Sequence, residues 1–256
     1  MLVLLSPAKS LDFESRVATR KHSEPRLLAE AARLVDVMRG QTCEELAELM
    51  GISEELATLN VDRFREFQLE HTTRNSRPAV LAFDGDAYRG LAAPQFAARD
   101  FTECQKTLRI LSGLYGLLRP LDLVQPHRLE MGTRLRTPRG RNLYEWWEHR
   151  VTDLLKRDLD SSPGADVVVN LASKEYFTVI DPRRLGVRVI SPRFEDRSPD
   201  GVPRVVAFHA KRARGLMAAH LVKERARTPV RILDFASEGY QLDEARSSSD
   251  EPIFVR

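Results

Sequence analysis

The stretch Arg204–Val222, "RVVAFHAKRARGLMAAHLV", joins an apolar run directly to a segment with helical spacing. The run "RVVAFHA" is rich in valine and predicts a β-strand. From about Arg212 onward, apolar residues recur at the spacing of one helix face, which predicts an amphipathic helix. The predicted buried stripe is Ala213, Leu216, Met217, His220 and Leu221. A strand followed at once by a helix is a building unit of α/β folds.

The same alternation runs along the rest of the chain. Apolar runs predict further strands at "LVLLS" (2–6), "AVLAF" (79–83), "LRILS" (108–112), "DVVVNL" (166–171), "VRVIS" (187–191), "RILDF" (231–235) and "PIFVR" (252–256). Helical patterns cover Glu24–Arg39, Cys43–Met50, Ser53–Phe67, Pro94–Lys106, Leu143–Leu159 and Arg212–Arg227. We therefore predict an α/β fold of mixed α+β character. It forms a single compact domain over 1–256, with a mixed sheet and a helical segment at about 24–75.

Composition and charge exclude several classes of protein. The 256 residues are 42% hydrophobic, enough for a substantial core, which excludes a disordered chain. Because 40 Lys+Arg face 37 Asp+Glu, the net charge is only +3, and a basic surface has to arise from placement. Cys43 and Cys104 provide neither a disulfide framework nor a zinc motif, which favours a reducing cytoplasm.

The N-terminus predicts a strand rather than a targeting signal. It is apolar only from Met1 to Leu5 and meets Pro7 at once. No stretch of the sequence approaches the roughly 20 apolar residues that a membrane span needs. We expect a cytoplasmic protein without a membrane partner.

Polar and charged residues follow six of the predicted strands. The clusters are Ser6, Pro7 and Lys9; Asp84, Gly85, Asp86 and Tyr88; Ser112, Gly113 and Tyr115; Asn170, Ser173, Lys174, Glu175 and Tyr176; His209, Lys211 and Arg214; and Ser237, Glu238, Gly239 and Tyr240. If the strands run parallel, these clusters meet in one cleft at the strand carboxyl ends. The alternative is ordinary turn and cap chemistry, which uses the same residue types.

Lys211 and Arg214 lie on one flank of the predicted helix beside the small residues Gly215 and Ala218. This spacing predicts an open flank on which the two cations hold an anionic group, whereas Arg212 points away and is solvated. The alternative is a basic face exposed to solvent along its whole length.

Two further segments are rich in residues that suit phosphate binding. In Ile110–Gly132, the charges of Arg119, Asp122, Arg128 and Glu130 either line a ligand site or brace a long loop. In Glu48–Asn60, two short helices meet in a hairpin at which Gly51 and Ser53 would offer backbone N–H groups to a phosphate. The alternative for the hairpin is plain packing of Ile52, Leu56 and Leu59 into the core.

Six blocks of the sequence resemble, in order, those of the YaaA family of bacterial cytoplasmic proteins associated with peroxide stress. They are "LLSPAKSLDF" (4–13), "FDGDAYRGL" (83–91), "LRILSGLYGLLRPLDLVQPHRLEMG" (108–132), "NLASKEYF" (170–177), "FHAKRARGLM" (208–217) and "ASEGYQLDEARSSS" (236–249). The resemblance implies a role in limiting oxidative damage, linked to lower free intracellular iron. It also implies DNA binding by a mixed α/β fold with a positively charged cleft and a helix-hairpin-helix, which corresponds to 48–60 here.

Two functional hypotheses follow. In the first, a monomer binds the phosphates of double-stranded DNA with little sequence preference. Its expected contacts are Lys9, Arg119, Arg128, Lys174, Lys211, Arg214, Gly51 and Ser53. In the second, an enzyme acts on a nucleotide or nucleic acid in the same cleft, because carboxylates oppose pure phosphate binding. Its acid/base candidates are Asp84, Glu175 and Glu238, with Lys9 or Lys211 stabilising negative charge.

We expect no cofactor and no dedicated metal site. The six histidines, His22, His71, His127, His149, His209 and His220, show no two-histidine, one-carboxylate spacing. An effect on iron is therefore expected to be indirect. A small anionic or nucleotide ligand remains a second kind of partner beside DNA.

Overall fold

The computed structural model describes residues 1–198 and 200–256. The strands are β1 Leu2–Leu5, β2 Ser10–Leu11, β3 Arg77–Pro78, β4 Phe83–Asp84, β5 Leu108–Ser112, β6 Gly116–Leu118, β7 Leu123–Val124, β8 Val167–Asn170, β9 Arg188–Ile190, β10 Arg193–Arg197, β11 Pro203–Arg204, β12 Gln241–Leu242 and β13 Ile253–Val255. The helices are α1 Leu28–Arg39, α2 Cys43–Met50, α3 Glu54–Glu66, α4 Ala79–Ala82, α5 Asp86–Leu91, α6 Ala98–Thr107, α7 Leu143–Trp147, α8 Arg150–Asp160, α9 Lys174–Phe177, α10 Pro182–Leu185, α11 Ala207–Lys223 and α12 Val230–Leu233, with a 3-10 turn at Ala93–Gln95. None of these helices is long and apolar enough to cross a membrane.

The larger sheet has β1 at its centre, in the order β6-β5-β1-β8-β9. Strand β1 pairs in parallel with β5 and β8, and β9 extends the parallel set beyond β8. All four residues of β1 are buried, as expected for a continuous apolar run at the centre of a covered parallel sheet. Strand β6 is antiparallel to β5 and makes the sheet mixed, as predicted.

The second sheet has the order β11-β10-β13-β12, with β10 and β13 parallel. Phe194 of β10 stacks on Phe254 of β13, with ring centroids 5.6 Å apart. Two small ladders, β2 with β4 and β3 with β7, tie the loops to the sheets. Buried apolar residues of both sheets, including Phe194 and Phe254, belong to one contiguous core. The predicted α/β class is confirmed.

Three predicted strands are wrong. "AVLAF" forms the single turn α4 and only then extends, at Phe83, into β4. "RILDF" contains the short helix α12. "RVVAFHA" contributes only Arg204 to β11. Beyond Arg204 the segment has no paired strand, and Val205 and Phe208 are exposed rather than buried in a sheet. A short apolar run is compatible with both a strand and a helical turn, because both structures can bury apolar side chains.

The predicted helical segments agree with the observed helices more closely than the predicted strands agree with the observed strands. Helices α1, α2 and α3 fall within the segment predicted to be helical at about 24–75. Helix α11 begins at Ala207, about one turn before the predicted start at Arg212. The predicted helix Leu143–Leu159 is two helices, which separate where Glu148 adopts a left-handed φ of 48°.

The small residues of α11 serve helix packing, not ligand access. Gly215 is buried against α5, and a Cβ atom there would lie 1.7 Å from the carbonyl oxygen of Ala87. Ala218 is also fully buried. The prediction of an open flank beside Lys211 and Arg214 is therefore wrong at these two positions.

Candidate functional site

A cavity of about 590 Å³ lies at the carboxyl ends of the parallel strands. Five of the six predicted strand-end clusters contribute to its lining, and the cluster Ser237–Tyr240 does not. The residues that line it are Ser6, Pro7, Ala8, Lys9, Ser10, Phe83, Asp84, Gly85, Asp86, Ala87, Tyr88, Arg89, Ser112, His127, Arg128, Leu129, Glu130, Leu171, Ser173, Glu175, Tyr176, Lys211 and Arg214. A volume of this size accommodates a small organic ligand.

The parallel sheet positions the hydroxyl groups of the cavity. Ser6, Ser112 and Ser173 come from the ends of β1 and β5 and from the turn after β8. The Ser6 hydroxyl accepts a hydrogen bond of 2.9 Å from the backbone N–H of Ser173, which locks two of these strand ends together. Tyr88 of α5 donates to the carbonyl oxygen of Ser6 at 2.9 Å, which attaches α5 to the same point.

Two cations of α11 reach the cavity without an acidic partner among the described residues. Arg214 is half-buried, and in the part of the chain that the structure describes no carboxylate forms a salt bridge with it. Burial lowers the pKa of its guanidinium, although an arginine stays protonated at neutral pH. Lys211 is exposed at the rim. A charge held partly out of water without a counter-ion favours binding of an anion.

The other cations of the cavity are paired. Glu130 accepts contacts from Lys9 Nζ at 3.2 Å and from Arg128 Nη2 at 3.0 Å. Asp84 binds Arg89 through both carboxylate oxygens, at 3.1 and 3.2 Å. These pairs reduce the attraction of the predicted residues Lys9 and Arg128 for a phosphate.

Among the described residues, the Glu175 carboxylate is bound by a backbone N–H group rather than by a cation. Its Oε1 atom accepts a hydrogen bond of 2.9 Å from the N–H of Gly132. Burial and the charge of Glu175 both raise the pKa of the neighbouring phenol of Tyr176, which therefore stays protonated. The carboxylate and the phenol together offer an acceptor and a donor on the same wall of the cavity.

His127 is a cavity residue that the sequence did not single out. Its Nδ1 atom lies 2.8 Å from the carbonyl oxygen of Gln125, a contact that places the ring proton on Nδ1 and leaves Nε2 as an acceptor. Burial lowers the pKa of His127 to about 4, so the ring is neutral at physiological pH. The only signal in the sequence is its position between Pro126 and Arg128, in a segment already noted for special residues.

Several predicted site residues lie outside this cavity. Arg119 binds the buried carboxylate of Asp122 and the carbonyl oxygen of Glu24, so it braces a loop. Lys174 lines a second cavity instead. Glu238 pairs with Arg212, whose Nε lies 3.0 Å from both of its carboxylate oxygens. Arg212 is thus ion-paired, and the prediction that it is merely solvated is wrong.

The hairpin between α2 and α3 uses much of its hydrogen-bonding capacity internally. Gly51 is the left-handed C-cap of α2, at φ 60°, and its N–H bonds to carbonyl oxygens of that helix. The Ser53 hydroxyl caps α3 through the N–H of Leu56, at 3.4 Å. Leu56 and Leu59 are exposed, at 39% and 44%, so the alternative that both pack into the core is wrong.

A run of exposed arginines next to the cavity was also missed. Arg134, Arg136 and Arg141 are exposed, whereas the intervening Leu135 is buried. The run begins two residues after Gly132, whose N–H holds Glu175 at the cavity wall. Burial alternates over residues 133–136, which places Arg134 and Arg136 on the same exposed side, and Arg141 follows the turn at 138–139.

The comparisons with known proteins agree with the resemblance of the sequence. The family model for peroxide stress protein YaaA matches residues 1–246. A relative from Cellvibrio japonicus (strain Ueda107), named UPF0246 protein, is 47% identical over 256 residues, which is 100% of this chain and 98% of the relative. The residues matched by the family model include every residue that lines the cavity. The chain belongs to the peroxide stress protein YaaA family.

Proposed function

We propose that this protein acts in the peroxide-stress response by binding a phosphate-bearing ligand of nucleotide size in the strand-end cavity. Arg214 is the observation that carries the proposal. It is a half-buried cation that lines the cavity, and its charge has no acidic partner among the described residues. Lys211 adds a second positive charge one helical turn away.

The carboxylates favour a small ligand over bare phosphate backbone. Asp84 and Glu175 line the same cavity as the cations, and the negative charge of Glu175 would repel a run of phosphates, whereas that of Asp84 is compensated by Arg89. They suit a ligand that also carries hydroxyl or amino groups, because carboxylates accept hydrogen bonds. If the site is catalytic, these two residues are the acid/base candidates, with Lys9 or Lys211 stabilising developing charge. Glu238 is no longer a candidate, since it does not line the cavity.

Binding of double-stranded DNA is the second candidate function, and the exposed arginines favour it. Arg134, Arg136 and Arg141 would extend the positive charge of Lys211 and Arg214 beyond the cavity. In this form of the proposal, the bound DNA is shielded from oxidative damage. The link to lowered free iron that the family resemblance implies is then an indirect effect in the cytoplasm.

Calorimetry with dAMP and with inorganic phosphate tests the first candidate. Arg214→Ala is expected to weaken dAMP binding by about tenfold to a hundredfold, the loss typical of one charge-assisted hydrogen bond. Arg99→Ala is the matched control, because Arg99 is an exposed arginine outside the cavity. Unchanged dAMP affinity in a folded Arg214→Ala protein would remove Arg214 from the site and the proposal with it.

Fluorescence anisotropy with a short labelled duplex tests the second candidate. Affinity should fall steeply between about 50 and 200 mM salt, because several phosphates release counter-ions. The triple substitution of Arg134, Arg136 and Arg141 by alanine should flatten this salt dependence. Duplex binding that is tight and indifferent to salt contradicts the electrostatic mechanism.

A further inference from the structure

A second cavity, of about 540 Å³, lies behind the segment that follows β8. Leu171, Ser173 and Glu175 line the first cavity, whereas Asn170, Ala172 and Lys174 line the second. Side chains alternate between the cavities over residues 170–173, and the first turn of α9 then directs Lys174 to the second cavity and Glu175 to the first. This segment is therefore a partition with one cavity on each face. The partition explains why Lys174 lies apart from the other predicted phosphate ligands.

Arg214 is the one residue, among those described, that lines both cavities. On α11, Lys211 faces the first cavity and Ala210 the second, and Arg214 lies one turn further along the helix. Its guanidinium carries several donors in a planar fork, which suits a phosphate held between two groups. The unpaired charge therefore lies where the two cavities meet.

The second cavity has the chemistry of a pocket for a flat, partly polar group. Its walls are mainly apolar, and they include Phe177, Ile180, Pro182, Pro192 and Phe194. Asn170 supplies a side-chain amide that is held by the N–H of Ala172 at 3.0 Å and by Ser191 Oγ at 3.3 Å. One N–H and one lone pair of that amide remain for the edge of a ligand. The charge of Arg193 in this cavity is compensated by Glu195, at 2.7 Å.

We propose that the two cavities are the halves of one bipartite site for a dinucleotide unit. In this arrangement, Arg214 binds the phosphodiester at the junction, and one nucleoside occupies each cavity. Each volume lies within the range that holds a small organic group. The inference rests on the proposed function and adds to it the class of ligand and a second pocket.

The test compares dApdA with dAMP by calorimetry on the full chain. The wild type is expected to bind dApdA about tenfold more tightly than dAMP, the gain typical of one further stacked base. Thr178→Trp places a large side chain from an exposed position into the second cavity. This variant should bind dApdA no more tightly than dAMP, and its affinity for dAMP should equal that of the wild type. Thr73→Trp, another exposed threonine outside both cavities, is the control and should behave as the wild type.

The outcomes separate this inference from the proposed function. If dAMP binding depends on Arg214 but dApdA binds no better, the bipartite site is overturned and the proposed function stands. If neither dAMP nor dApdA binds, both are overturned. Equal dApdA affinity in Thr178→Trp and the wild type also overturns the inference. Where dApdA binding supports the site, competition by a short single-stranded oligodeoxyadenylate assigns it to nucleic acid, and lack of competition assigns it to a free dinucleotide.

Discussion

Gly90 of α5 and Gly215 of α11 each face the backbone of the other's helix. A Cβ atom on Gly90 would lie 2.2 Å from the carbonyl oxygen of Arg212, and one on Gly215 would lie 1.7 Å from that of Ala87. The two helices therefore touch backbone to backbone. This contact sets the rotation of α11 about its axis and so directs Arg214 to the junction of the two cavities.

Gly215→Ala is expected to lower the free energy of unfolding by about 3 kcal/mol, because the added methyl overpacks a backbone contact. Gly40→Ala is the control, since its Cβ would meet its nearest neighbour at 3.4 Å, and its φ is −77°. The control should change stability by less than about 0.5 kcal/mol. Urea denaturation measures both, and equal stability of the two variants would contradict the close packing.

Asp158→Asn should destabilise the fold by about 3 kcal/mol, because it leaves the buried charge of Arg109 without its partner. Burial by itself raises the pKa of Asp158, but the hydrogen bonds and charges of Arg26 and Arg109 outweigh it and hold that pKa below 3.8. The stabilisation is therefore present above pH 3.8 and is lost as the pH falls. Asp160→Asn, at an exposed position of the same helix, should be nearly silent in thermal melting.

The buried position of His127 leads us to expect that the free energy of unfolding falls on acidification. Burial lowers its pKa from 6.5 to about 4, so the unfolded chain binds the proton first as the pH falls. Stability is lost between pH 6.5 and about 4, by about 3 kcal/mol in total, and the loss then stops because both states are protonated. His127→Gln should lack this part of the pH dependence in urea titrations. His22→Gln, at an exposed position, should keep it.

Two glutamates of the hairpin between α2 and α3 allow its role in DNA binding to be tested. Glu54 and Glu55 are exposed in the first turn of α3, where they would repel an approaching phosphate. If the hairpin contributes to DNA binding, replacing both by glutamine should raise duplex affinity severalfold in anisotropy measurements. Glu66→Gln, at the other end of α3, is the control. Unchanged affinity in the double variant leaves the hairpin without a role in DNA binding.

Gly51→Pro is unsuitable as a probe of phosphate contact. Proline requires a negative φ, whereas Gly51 has φ 60°, and the variant would also lose the N–H that caps α2. The substitution would therefore destabilise the hairpin whether or not DNA binds there.

Local patterns in the sequence were sufficient for the parallel core and for most helices. "LVLLS", "LRILS" and "DVVVNL" contain β1, β5 and β8, because a strand buried on both faces has to be apolar at nearly every position. Helix α2 has the predicted bounds, since Thr42 and Glu45 form a capping box that the chain makes with its own neighbours. The convergence of Ser6, Ser112 and Ser173 followed from the parallel order.

Only the tertiary structure decided which charges are compensated. Arg212 and Arg214 are two residues apart on one helix, yet Glu238, far along the chain, pairs with the first and leaves the second to the cavities. The same holds for Gly215, whose role depends on a carbonyl group of α5, and for Lys174, which a partition separates from Lys211. A local pattern in the sequence shows which side chains carry a charge, favour a turn or can be buried. Whether a given charge is paired, or a given surface packed, depends on residues that are distant in the sequence, and such contacts leave no local pattern.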